Sequence, residues 1–302
     1  MDIPGESWYY KIEVEPEVFT PGRPIGTLPI VRSILQNISL KGQRVLDIGA
    51  QEFVAPILIE RQSPSEIVAY DRLSLTDQFE FLKNIYGMPT TTYVHGIPLL
   101  ELRNELSKKN IDPVFDFVNF TGVLYHMLDP LAGMALARSF LRTGGIMFLE
   151  TSVSTRDDYV AECNHNAQLY PGSNYFQISP KALDYWCRML RMEVLDAVWY
   201  GSEGIRRIFM VLRACDGVVA ERQDKWIRKS FLVEDFRPYG IDYDKLAQGD
   251  KADVPFEALS GYEPLVRVPA SPNYVDVDAT VRARGQARRD AERAILRLSD
   301  KN

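Results

Sequence analysis

The 302-residue chain is 46% hydrophobic and 25% charged, an ordinary globular composition long enough for one large domain with extensions or for two small ones. A formal charge of −6 offers phosphate backbones no global attraction and disfavours nucleic acid as a partner, while no apolar run suggests a membrane span or a signal peptide. Three cysteines, Cys163, Cys187 and Cys215, with no CxxC pair, argue against a disulfide scaffold or zinc centre and fit a reducing cytoplasm.

In chain order, residues 1–40 read as an N-terminal cap. Short apolar runs then recur at 44–49 (RVLDIG), 66–71 (EIVAYD), 91–96 (TTYVHG), 115–122 (FDFVNFTG) and 145–151 (GIMFLET). Each reads as a buried strand, and the helical patterns between them predict a parallel sheet covered on both faces. Asp129 caps a helix opened by Pro130 and stopped by Gly144 and Gly145. Ser179 and Pro180 open another, in which Leu183, Trp186, Cys187 and Leu190 make one apolar stripe. The runs 194–200 and 207–214 are linked by GSEGIR, too short for a crossover helix, so they must pair antiparallel.

The expected fold over 41–214 is therefore α/β: a Rossmann-like doubly wound sheet of seven strands, five parallel plus a terminal antiparallel hairpin. Residues 215–302 are an extension, irregular to about 275. It ends in a helix at 279–298 with Ala287, Ala291, Ile295 and Leu298 on one side and six arginines among the rest. Such a helix packs on its own domain or on a second copy, which leaves a homo-oligomer open, with an RNA or lipid contact as the alternative.

The first strand ends in Asp47 and Gly49. In a nicotinamide loop, glycines follow the strand so that a pyrophosphate can sit on the helix N-terminus. An acid before the first glycine repels a pyrophosphate and suits the ammonium end of S-adenosylmethionine. Asp71 closes the second strand, where a carboxylate can take both ribose hydroxyls. His95, Gly96 and Ile97 end the third and border the adenine. Ala50, Arg72, Thr121, Gly122 and Thr20 complete the expected cofactor contacts. Gln51 and Phe53, where small residues are usual, raise the alternative of a degenerate loop that binds nothing.

The segments TGVLYHMLDPLAGM (121–134) and GGIMFLET (144–151) resemble class I S-adenosylmethionine-dependent methyltransferases, in the branch that includes the tRNA uridine carboxymethyltransferases. NYFQISPKAL (174–183) and WYYKIEV…FTPG (8–22) are similar to further segments of that branch, so the resemblance covers about residues 8–214. Tyr10 stands where the family has His, and GAQEF replaces a more glycine-rich loop; both bear on the shape of the pocket. The resemblance implies a carboxylated form of the cofactor as an alternative, because the residues that recognise it in the tRNA-modifying relatives match Tyr125 and Arg207. Plain methyl-transferring relatives keep that Tyr as well. The N-terminal tRNA-binding region of those enzymes has no counterpart here, which favours a small-molecule acceptor.

A hydroxyl acceptor needs a base, and the carboxyl ends of the strands offer candidates. His126 is either that base or a residue ordering the GVLYH turn. His165, in the stretch expected to cover the acceptor, is either the base or an exposed lid residue. Glu150, Asn174, Tyr175 and Arg207 are the expected acceptor contacts, although Glu150 and the aromatic residue can equally be structural. No His or Cys spacing signals a metal. Three functions follow: methyl transfer to a small molecule, at a hydroxyl of a sugar or natural product; methyl or carboxymethyl transfer to tRNA; and a non-catalytic cofactor-binding scaffold.

Overall fold

The computed structural model describes residues 3–5, 7–169, 171–172, 174–202, 205–215, 237–241, 271–277, 282–283 and 286–287. In chain order the elements are β1 (Glu13–Glu15), β2 (Val18–Phe19), α1 (Leu28–Asn37), β3 (Arg44–Ile48), α2 (Val54–Glu60), β4 (Glu66–Asp71), α3 (Thr76–Tyr86), β5 (Thr91–His95), α4 (Leu102–Lys108) and β6 (Phe115–Thr121). Then come α5 (Pro130–Ser139), β7 (Leu141–Ser152), β8 (Ala161–Cys163), β9 (Phe176–Ile178), α6 (Pro180–Met189), β10 (Met192–Ser202) and β11 (Ile205–Ala214).

Seven strands form one sheet in the order β10-β11-β7-β6-β3-β4-β5. The five from β7 to β5 are parallel, and β11 runs antiparallel to both β7 and β10. Both faces are covered, which explains why the strands read as nearly unbroken apolar runs. Leu46, Val68, Val118 and Met147 face the layer of α4, α5 and α6, whereas Val45, Ile67, Phe117 and Phe148 face α1, α2, α3 and the N-terminal cap.

The caps behave as their residue types dictate. The Asp129 side chain accepts from the Ala132 amide at 3.0 Å, and the Ser179 hydroxyl accepts from Ala182 at 3.2 Å; such caps are worth about 1 kcal/mol each. One expectation is corrected. Gly144 and Gly145 do not stop the Asp129 helix, which ends at Ser139; they lie inside β7, where its register with β6 shifts between Phe115 and Phe117. The strand needs a local irregularity there, and glycines accommodate it.

The chain crosses from one side of the sheet to the other between β5 and β6, so β3 and β6 flank the switch point. Their carboxyl ends diverge and open a crevice, the usual binding place in a sheet of this kind. The cap is fastened beside it. A β-bridge joins Ile12 to Val275, and Arg32 donates to the carbonyls of Pro272 (3.0 Å) and Tyr274 (2.7 Å) and to the Asp276 carboxylate (3.2 Å). The part of the extension at 271–277 thus packs on its own chain, burying Val275 and Val277. Most of the expected terminal helix lies outside the described residues; 282, 283, 286 and 287 are helical and exposed, Ala287 included. Among the described residues, no helix is long and apolar enough to cross a membrane.

Candidate active site

The loop after β3 answers the question its residues raise. Gly49 has φ +85°, and a Cβ there would overlap the Val123 side chain, so only glycine serves. Gln51 (φ 45°) and Phe53 (φ 60°) adopt the same left-handed region without being glycine. The backbone of a three-glycine loop is therefore present with two glycines replaced. What the replacements gain is contact: the Gln51 amide donates to Asp71 at 2.8 Å, Glu52 accepts the Tyr9 amide at 2.7 Å, and Phe53 is fully buried against Phe79 and Tyr93 at 5.0 and 4.8 Å between ring centres.

This loop bounds a hollow at the switch point with about 430 Å³ of empty space, its open mouth included. Tyr10, Ile25, Thr27 and Leu28 from the cap side face Asp47, Gly49, Ala50, Asn119 and Thr121 from the sheet. Asp47 is almost wholly buried and accepts one hydrogen bond, from Asn119 Nδ2 at 2.6 Å; its Oδ2 has no partner. Burial pushes its pKa up to about 7, the Asn119 bond opposes that shift, and the Asp71 charge adds to it. A buried carboxylate oxygen without a donor fits an ammonium group.

Asp71 stands beside the hollow. Its oxygens accept the amides of Gln51 and Leu73, each at 2.8 Å, and each oxygen retains a second lone pair for a hydroxyl. Arg72 is exposed next to it. Gly96, at φ +75° with open space before it, donates its amide to the Asp71 carbonyl at 3.2 Å, and the Ile97 carbonyl accepts from Tyr70 Oη at 2.8 Å. His95 is stacked on Tyr93 at 4.6 Å. Thr20 is used differently: its buried hydroxyl donates to the Tyr10 carbonyl and accepts from the Ile12 amide, which ties the cap together away from the hollow.

A second group converges at the ends of β6, β7 and β11. The Arg207 guanidinium is paired with both oxygens of the buried Glu150, one contact being Nη2 to Oε2 at 2.9 Å. It also lies over the Tyr125 ring at 4.8 Å from the centroid. Gly122, just past β6, faces Glu150 and the Tyr125 hydroxyl. The His126 ring is 4.1 Å from that of Tyr125 and is exposed to solvent.

The insert folds back onto this group. β8 pairs with β9, and the Tyr175 amide donates to the Tyr125 carbonyl at 3.3 Å. Asn174 is buried with neither side-chain polar atom partnered, Tyr175 is half exposed, and His165 is exposed on the turn at 165–167. No group of three metal-ligating side chains is formed among the described residues.

Several residues outside the expected set line the hollow, Asn119 and Tyr10 among them. Asn119 had a visible signal, as a lone amide inside the apolar run FDFVNF. Tyr10 was noticed only as a departure from the family; its placement comes from the cap folding over the sheet.

Comparisons with known proteins agree with this architecture. The family described as "Methyltransferase domain" matches residues 29–208. A tRNA U34 carboxymethyltransferase of Campylobacter fetus is 28% identical over 160 residues, covering 53% of this chain and 54% of that one. One from Wolinella succinogenes is 25% identical over 201 residues, covering 66% and 65%. The chain thus spans between half and two thirds of the length of these relatives. Among solved structures, the N-terminal domain of EvdMO1 with SAH bound has a TM-score of 0.50 at 19% identity, covering 69% of this chain and 92% of that one. The [4+2]-cyclase SpnF has a TM-score of 0.50 at 13% identity, covering 68% and 86%. The chain belongs to the methyltransferase domain family.

Proposed function

We propose that the enzyme transfers a methyl group from S-adenosylmethionine to a small-molecule acceptor, at a hydroxyl of a sugar or natural product. The observation that supports this reading is the Arg207–Glu150 pair. Two of the five N–H groups of this guanidinium are engaged by a buried carboxylate that offsets its charge, so a carboxylated donor would meet a pair that is already neutral. The plain sulfonium cofactor needs no such partner. A net charge of −6 also suits a small acceptor better than a polyanion.

When bound, the cofactor supplies a methyl carbon already activated by its sulfonium. The chain has to hold it, align the acceptor and exclude water. Asp47, Gly49, Ala50 and Thr121 hold the amino-acid end, Asp71 the ribose, and Gly96 and Ile97 the adenine side. Gly122, Tyr125, Asn174 and Tyr175 face the acceptor. Glu150 has both oxygens engaged by Arg207, so it shapes the pocket, and His126 takes the proton of the acceptor hydroxyl at a ring nitrogen.

A second reading is favoured by one arrangement: Tyr125 and Arg207 stand together at 4.8 Å, and the curated relatives are named as tRNA carboxymethyltransferases. Release of demethylated cofactor, followed across a panel of hydroxylated sugars and natural products and with bulk tRNA, separates the two. Turnover with a small hydroxyl compound supports the first reading. Turnover with tRNA alone overturns it.

A further inference from the structure

The polar wall of the cofactor hollow consists of Tyr10, Thr27, Asp47, Asn119 and Thr121. It contains one carboxyl group and no cation. The amino-acid end of the cofactor carries both an ammonium and a carboxylate, and the unpartnered Asp47 Oδ2 suits the first. The second must then sit near a buried acid, where a neutral donor has to satisfy it. Asn119 is occupied, since its Nδ2 donates to Asp47 and to Thr121 Oγ1 at 2.6 and 3.1 Å.

We propose that the Tyr10 hydroxyl is the hydrogen-bond donor to the α-carboxylate of the bound cofactor. It forms no hydrogen bond with any described residue. Of the two carboxylates whose charges it feels, Glu150 is paired with Arg207 through both oxygens and Glu52 accepts the Tyr9 amide. Burial, reinforced by the charges of Tyr9, Tyr125, Glu150 and Glu52, pushes phenol ionisation far above its ordinary range, so the group keeps its proton.

The residue is also held in place before any ligand arrives. Its ring packs edge-on against Tyr9 at 4.9 Å, and Arg23 lies over Tyr9 at 4.4 Å. Its carbonyl accepts from Thr20 Oγ1 at 2.7 Å, and a Cβ at Gly22 would overlap that same carbonyl. The TPG segment therefore serves to bring the chain at Tyr10 close and fix it. A preorganised donor loses little freedom on binding, which raises its value.

The inference rests on the cofactor reading, and calorimetry on the full chain tests both separately. The probes are S-adenosylhomocysteine and its analogue lacking the α-carboxylate, titrated into wild type and Tyr10→Phe, with a thermal melt to verify that the variant is folded. The phenylalanine keeps the ring contacts and removes one donor. Binding of S-adenosylhomocysteine should weaken by about tenfold or more, the usual loss for a bond to a charged group, while the decarboxylated analogue binds both proteins within about twofold. Equal losses for the two probes, or no loss for S-adenosylhomocysteine, overturn the role of Tyr10 and leave the cofactor reading intact. A wild type that takes up neither probe overturns both.

Discussion

At Asp47, burial and the neighbouring Asp71 favour the neutral acid, whereas the ammonium of a bound cofactor favours the anion. The signs can be worked out. The folded-state value is raised to about 7, above the roughly 3.9 of an unfolded aspartate. Between those limits the folded chain holds a proton that the unfolded chain does not. Stability therefore falls as pH rises from about 4 to 7 and changes no further from this group above it. Asp47→Asn keeps an acceptor for Asn119 and never ionises, so its melting temperature should exceed that of wild type at pH 8, with the gap closing towards pH 4. Ligand binding runs the other way: affinity for S-adenosylhomocysteine should weaken below pH 7 by up to about tenfold per unit, and Asp47→Asn should flatten that dependence. A flat profile in wild type sinks the assignment. The loop two residues on offers a second test, because strain and burial compete there with different winners. Gln51 is only partly buried at φ 45°, so Gln51→Gly relieves about 1 kcal/mol of left-handed strain against a small loss, and stability should hold or rise by up to about 1 kcal/mol. Phe53 has comparable strain but a fully buried ring. Loss of that ring costs about 3–5 kcal/mol, so Phe53→Gly should be clearly destabilising in denaturant titration.

Among the elements, those built by local rules were legible in the sequence. The strands around Leu46, Val68 and Val118 announce themselves because both their faces are buried. The hairpin of β10 and β11 follows from a link too short to do anything else, and the Asp129 and Ser179 helices start at their caps. What could not be read was contact between elements far apart in the chain. Nothing local says that Val275 pairs with Ile12, or that Arg32, in the middle of an amphipathic helix, turns its guanidinium to three acceptors between 272 and 276. The carboxyl groups of the site were legible because they end strands, whereas Tyr10 depends on a fold-over of the cap that the sequence does not encode locally. The Arg32 clamp makes that fold-over testable. Two of its acceptors are backbone carbonyls and Asp276 is about a third exposed, so the loss on Arg32→Ala is that of a few charge-assisted bonds, about 2–4 kcal/mol, rather than the cost of stranding a buried charge. Hydrogen exchange should quicken at Glu13 and Val275, whose amides make the bridging bonds, and leave β3 and β6 protected. Exchange that rises uniformly, or not at all, would show that the clasp is not a separable unit.

For the molecule as a whole, the two functional readings differ in electrostatics. Binding to tRNA releases counterions, and a protein contacting six to ten phosphates loses roughly 10³–10⁵ in affinity between 50 and 200 mM salt. A chain with 35 basic against 41 acidic residues can do this only if its cations are gathered on one face. Several arginines among the described residues are committed elsewhere: Arg32, Arg44, Arg142, Arg156, Arg188, Arg207 and Arg213 are all in ion pairs. Those of the 279–298 segment lie largely outside the described residues, and they are one concentrated source of positive charge in the sequence. The comparison that decides is tRNA retention by the full chain and by a variant with Arg284, Arg288, Arg289 and Arg293 changed to Gln, measured from low to physiological ionic strength. With a small-molecule acceptor, both proteins should retain tRNA weakly and alike, with a shallow salt dependence. A steep dependence in wild type that the variant loses would move the acceptor to tRNA and give the terminal segment the task of holding it. The pair of Arg207 with Glu150 would then have to open for a carboxylated donor to be used.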